Sequence, residues 1–199
     1  MSIHLFKHNQ QAYRAVTAML EKEKMAAVIH PTGTGKSLIA FKLAEENPSK
    51  HFLWLSPSEY IYQTQLEKLN MKFPNIQFMS YSRLMKNEDS IETLHPDYII
   101  LDEFHRCGAQ EWGKSVRKLL DTYPNAKRLG LSATNIRYLD NQRNMAEEIF
   151  DGKIASEMTL GEAIVREILP EPKYVIAMYS YQKELEQLKN VSGLYRIRD

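Results

Sequence analysis

The chain has 199 residues, of which 43% are hydrophobic and 26% charged, a balance that excludes a disordered polymer and suits one sizeable α/β domain. Its net charge of +1 excludes an overall basic blanket, so any surface for a polyanion must be a local face. The single cysteine, Cys107, excludes an internal disulfide and, with no signal pattern and no apolar run near the ~18 residues of a membrane span, leads us to expect a cytoplasmic protein with no membrane partner.

Taken in chain order, a helical pattern over residues 10–22 precedes a short apolar run at 26–29, and a second helical pattern follows at 37–46. The alternation continues with apolar runs at 52–55, 76–79, 98–101 and 128–131, separated by helical patterns at 59–69 and 112–123. Helical patterns at 141–150 and 159–169 come next, then a final apolar run at 174–178 and a charged helical segment at 182–189. Runs that are apolar on both faces suit strands of a parallel sheet covered by helices. The expectation is therefore α/β: a doubly wound, mostly parallel sheet flanked by helices, whose ligands collect at the carboxyl ends of the strands. Residues 1–170 form the expected domain, and 171–199 a last strand and linker.

The run at 26–29 leads into His30-Pro31-Thr32-Gly33-Thr34-Gly35-Lys36-Ser37 and then a helix. Glycines let backbone N–H groups turn inward around phosphate oxygens, and the helix N-terminus adds positive partial charge. Lys36 is placed to reach the β- and γ-phosphates of ATP, and Ser37 to ligate Mg²⁺. The general pattern has glycine where this chain has His30.

The run at 98–101 ends in Asp102-Glu103-Phe104-His105. Asp102 is the candidate for holding Mg²⁺, and Glu103 for orienting and deprotonating the attacking water. His105 either couples the nucleotide site to a neighbouring segment or caps the turn. The run at 128–131 leads into Ser132-Ala133-Thr134, a tripeptide without meaning by itself.

The order of the three, PTGTGKS then DEFH then SAT, each after a strand, resembles the first motor domain of DEAD/DEAH-box (DExH-type) superfamily two helicases. The chain is also similar to helicase-like subunits of restriction systems. The resemblance covers nearly the whole chain and implies a RecA-like P-loop NTPase fold, ATP and Mg²⁺ as cofactors, and DNA or RNA as partner. It also implies that Gln10 or Gln11 reads the adenine edge, that Ser56 and Ser58 contact the strand backbone, and that Arg83 pairs with phosphate. Ser132 and Thr134 would link the nucleotide site to domain movement. Complete family members carry a second RecA-like domain whose arginines finish the ATP site. That domain is missing from this chain, and neither Arg196 nor Arg198 is promoted to its role, so weak hydrolysis is expected.

Two other readings compete with a motor: an ATP-dependent switch that binds a protein partner, and a small-molecule kinase, against which DEFH and SAT argue. His4 and His8 lack a third ligand for zinc, and Cys107 lacks an activating base, so it reads as a structural thiol. Tyr60 and Tyr62 stand where bases would stack on them.

Overall fold

A computed structural model describes residues 2–137 and 142–173. The chain divides into a unit of Met1–Leu169 and a tail of Pro170–Asp199. The expected strand at 174–178, the helix at 182–189, Arg196 and Arg198 lie outside the described residues.

The first unit opens with α1 (Lys7–Glu23), β1 (Met25–Ile29), α2 (Lys36–Glu46), β2 (Phe52–Ser56) and α3 (Glu59–Leu69). It continues with β3 (Ile76–Ser80), α4 (Tyr81–Lys86), β4 (Tyr98–Asp102), α5 (Gln110–Thr122) and β5 (Lys127–Ser132). A two-stranded hairpin of β6 (Ile136–Arg137) and β7 (Arg143–Asn144) follows, then α6 (Met145–Phe150), β8 (Ile154–Glu157) and α7 (Leu160–Val165). Six strands form one parallel sheet in the order β3-β2-β4-β5-β1-β8. This is the expected RecA-like, doubly wound α/β architecture, with every strand pair of the main sheet parallel.

The strands are buried on both faces because their side chains alternate between two cores. Ala27 and Ile29, Leu53 and Leu55, and Ile99 and Leu101 face one core with Tyr81, Leu119 and Phe150 of α4, α5 and α6. Val28, Trp54, Ile100 and Leu129 face the other with Val16, Leu20, Ile39 and Phe41 of α1 and α2. Gly130 stands in β5 because a Cβ there would collide with Phe150 and lie 2.9 Å from Phe104.

The main differences from the expected elements lie after β5. The helix expected over 141–150 is shortened to α6 because the chain first forms the hairpin. The run at 154–157 is only half-buried, so it lacks the apolar signature of the central strands. It becomes a strand by pairing with β1, through a register shift at Ala27/Val28.

Candidate functional site

Three segments meet at the carboxyl edge of adjacent strands. In register, Ile29 stands beside Ser132 and Leu131 beside Asp102. The phosphate loop after β1, the Ser-Ala-Thr turn after β5 and the acidic pair after β4 therefore start within about 10 Å of one another, two strand spacings.

Gly33 and Gly35 hold φ of +91° and +81°, the left-handed region where a side chain is strained. Pro31 is buried, and its carbonyl accepts from Thr34 Oγ1 at 2.8 Å and from Lys36 Nζ at 3.2 Å. Thr32 and Gly33 are exposed at the loop tip. Lys36 is 8% exposed. Burial pulls its pKa down, while Glu103 and Asp102 push it back up. Ser37 Oγ accepts a 3.0 Å bond from Gln65 Nε2 of α3. The Oε1 of that same carboxamide is buried without a partner among the described residues.

Lys36, Ser37, Gln65, Asp102 and Glu103 line one cavity of about 490 Å³. Asp102 is 5% exposed, and burial followed by the neighbouring Glu103 raises its carboxyl to about 7, against the pull of Lys36. Its backbone carbonyl accepts from the buried Tyr81 hydroxyl at 2.9 Å. Glu103 sits at φ +53°, a left-handed position that a non-glycine residue adopts at a cost and that recurs at functional turns. His105 Nδ1 stands 2.8 Å from Ser132 Oγ and 3.3 Å from Glu103 Oε2. Ser132 gives its own proton to Thr134 O at 2.7 Å, so His105 is the donor to Ser132. Burial lowers the imidazole pKa, which keeps it neutral.

The loop, its buried lysine, one hydroxyl and one desolvated carboxylate fit a magnesium triphosphate. Positive φ at Gly33 and Gly35 turns the loop backbone, and Lys36 with the helix N-terminus supplies positive charge. Among the described residues, no cluster of three His, Cys, Asp or Glu could hold a metal alone. Ser37 and Asp102, which line the same cavity, fit Mg²⁺, which takes one or two protein ligands together with phosphate oxygens.

Asn9 carries a contact that sequence reasoning overlooked. It is fully buried, donates Nδ2 to Thr34 O at 2.9 Å and Gly35 O at 3.2 Å, and leaves Oδ1 unpartnered among the described residues. His8 Nε2 lies 2.8 Å from Thr34 O. Gln10 and Gln11 are exposed, and Gln10 donates to Leu5 O at 3.0 Å. The i, i+4 apolar pattern of α1, Ala12, Val16 and Leu20, marks the buried stripe, and extending it back one turn reaches Asn9, the available signal.

The expected strand contacts lie at the carboxyl ends of the adjacent strands β2 and β3. Ser56 is fully buried and donates to Ser58 O at 2.7 Å; Ser58 is half-buried at the N-cap of α3. Arg83 is exposed and pairs with Glu59 at 3.6 Å. Tyr60 is 75% exposed, and Tyr62 stacks on Phe78 at 4.2 Å. Cys107 is buried, and burial pushes its thiol up to about 12, which makes it inert. No described helix is long and apolar enough to cross a membrane.

Residues 2–75 and 67–137 match the family of the type III restriction enzyme, res subunit. No curated protein matches the chain. Among solved structures, it is similar to the ATP-dependent Type ISP restriction-modification enzyme LlaBIII bound to DNA, at 19% identity and TM-score 0.60 over 83% of this chain and 16% of that one. The Pyrococcus furiosus Hef helicase domain aligns at 16% identity and TM-score 0.59 over 86% of this chain and 44% of that one. The DUF1998 helicase MrfA bound to DNA and AMPPNP aligns at 15% identity and TM-score 0.55, over 96% and 35%. The chain thus spans less than half the length of each, and at these identities the likeness concerns the fold. Fold and family match agree: the chain belongs to the type III restriction enzyme res-subunit family and has a RecA-like fold.

Proposed function

We propose that this chain is the N-terminal ATP-binding motor domain of a cytoplasmic DExH-type nucleic-acid helicase or translocase, which couples ATP hydrolysis to strand binding and remodelling. The observation that carries the reading is the shared cavity of Lys36, Ser37, Asp102 and Glu103, tied through His105 to Ser132 and Thr134. A phosphate loop and a carboxylate pair suffice for a nucleotide; the hydrogen-bonded link to a third segment is what a machine needs to pass a change outward. The family match and neighbours solved with DNA support nucleic acid as the partner.

Bound ATP–Mg²⁺ would supply the phosphoanhydride bond to be broken. The loop of Thr32, Gly33, Thr34 and Gly35 would cradle phosphate oxygens with backbone N–H groups, while Pro31 anchors the turn by accepting from Thr34 N at 3.4 Å. Lys36 neutralises phosphate charge, and Ser37 and Asp102 are the protein ligands of Mg²⁺. Glu103 accepts the proton of the attacking water, and His105, beside that carboxylate, bonds onward to Ser132. Asn9 ties α1 to the loop, and Ser58 and Arg83 remain candidates for the strand, whereas Ser56, fully buried and bonded to Ser58 O, supports that turn from within. A second RecA-like domain would complete the site with arginine, a contribution worth about 10³–10⁵ in rate in related enzymes.

The test is calorimetric titration of the 199-residue chain with ATP and Mg²⁺, followed by oligonucleotide binding. The expected result is Mg²⁺-dependent ATP binding with slow turnover, and salt-sensitive binding of single strands. Absence of ATP binding would end the reading, and brisk duplex-stimulated hydrolysis would remove the need for a second domain.

A further inference from the structure

A second cavity, of about 560 Å³, lies outside the nucleotide site. Lys114 and Arg117 reach it from α5, Arg137 from β6 and Arg143 from β7. The remaining wall is Gly108, Ala109 and Gly113. Among the described residues it is lined by no carboxylate and by no aromatic or large aliphatic side chain. A cavity for a base or small metabolite needs apolar walls with a few polar groups; this one is walled by four cationic side chains, two glycines and an alanine. Cationic walls without a stacking plate suit phosphate groups, which are held by charge and position without being read.

The cations are assembled by the fold. Arg137 and Arg143 are cross-strand partners in the hairpin, an arrangement that like charges oppose. Arg143 is held by Glu148 and by Gly108 O at 2.8 Å. Arg117 lies 3.9 Å from Glu148, which also pairs with Arg143. Close packing forms the glycine floor: a Cβ on Gly113 would lie 2.6 Å from Cys107 O, and one on Gly108 the same distance from Arg137 Cδ.

The cavity also has a position along the chain. The short 3-10 segment Phe104–Gly108 runs from Glu103 to its wall, and β6 runs there from Thr134. The first segment bears His105, which bonds to Ser132 at the end of β5.

We propose that this cavity, lined by Lys114, Arg117, Arg137 and Arg143, is a binding site for backbone phosphates of a nucleic-acid strand. This rests on the nucleic-acid reading above and gives it a contact surface apart from Ser58 and Arg83. The strand is favoured over a free small phosphate because Lys114 and Arg117 are exposed. Exposed cations gain little from a single small anion and much from counterion release by a polyanion.

The experiment measures binding of a fluorescent 20-nucleotide single strand to the 199-residue chain across a series of salt concentrations. It compares the chain with Lys114→Ala/Arg117→Ala and with Lys118→Ala, an exposed lysine of α5 outside the cavity. The double variant is expected to weaken binding about 10-fold at low salt. It should also lower the log–log salt slope by about 1.4, two contacts at about 0.7 each. Lys118→Ala should stay within about two-fold, and ATP affinity should be unchanged in both. Equal behaviour of the two variants would overturn the site and leave the motor reading intact. Displacement of the strand by inorganic pyrophosphate at matched ionic strength, with ATP present to fill the nucleotide site, would reassign the cavity to small phosphates. Failure of the unmodified chain to bind any strand would sink both proposals together.

Discussion

His105 Nδ1 donates to Ser132 Oγ across 2.8 Å while Ser132 donates onward to Thr134 O at 2.7 Å. Two segments separated by 27 residues in the chain are thereby joined through a serine that is fully buried. A buried hydroxyl whose partner is removed keeps its desolvation cost, so the two side chains should act as a unit. His105→Ala and Ser132→Ala, measured singly and together by ATP turnover of the complete two-domain protein, are expected to be non-additive by about 0.5–3 kcal/mol, with ATP affinity within about two-fold. Strict additivity would mean that the bond carries nothing.

Lys36→Ala is expected to weaken Mg²⁺–ATP binding by about 100-fold or more in calorimetric titration, because the cation is buried beside the loop where its charge is poorly screened. Glu103→Gln should behave differently. It keeps the shape of the side chain and removes only the base, so binding should persist while residual hydrolysis falls by about 10²–10⁴. Intact turnover in Glu103→Gln would remove that residue from its assigned role.

The carboxyl of Asp102 gives the site a pH dependence. In the folded chain it titrates at about 7, against an ordinary value of 3.8, chiefly through burial. The folded state therefore holds this proton more tightly than the unfolded state, so the group's stabilising contribution is lost as pH rises from about 4 through 7. Ionisation is also what Mg²⁺ requires, so Mg²⁺-dependent ATP affinity should rise with pH through about 7 and level off near pH 8. Asp102→Asn should abolish that affinity and, at pH 8, raise the Tm of the nucleotide-free chain by at least about 2–4 °C, the shift that 1 kcal/mol produces in a domain of this size. A lower Tm would show that the buried charge is stabilised by its surroundings.

Asn9 and Gln10 make a paired test of what ties α1 to the phosphate loop. Asn9→Ala removes two bonds to loop carbonyls from a fully buried position and should cost about 1–3 kcal/mol in denaturant unfolding, with weaker ATP binding. Gln10→Ala alters an exposed side chain bonded to Leu5 O and should change both by little. The reverse ranking would show that Gln10 and not Asn9 ties α1 to the loop.

Much of the fold and site was legible from residue order alone. Val28, Trp54, Ile100 and Leu129 sit in short runs apolar on both faces, and such runs suit strands covered on both sides. Gly33, Gly35, Lys36 and the pair Asp102-Glu103 follow such strands directly, so chain connectivity alone puts them at strand ends. β8 was not legible, because a half-buried edge strand has no continuous apolar run and exists through its pairing with β1. Asn9 was hidden because a polar residue on a helix is ordinarily solvated, and its burial depends on where the phosphate loop lies.

By itself, the sequence determined the alternation of strands and helices, the phosphate loop and the acidic pair, since these depend on periodicity and on neighbours along the chain. Only the tertiary structure decided that β5 stands between β1 and β4, which brings Ser132 beside both the loop and His105. It also decided that Asn9 faces inward, that Ser56 is shut away from the surface, and that four cations from α5, β6 and β7 converge on one cavity. The physical reason is the same in each case: burial, pairing and charge clustering arise between segments distant along the chain, and no local pattern of residues encodes their distance.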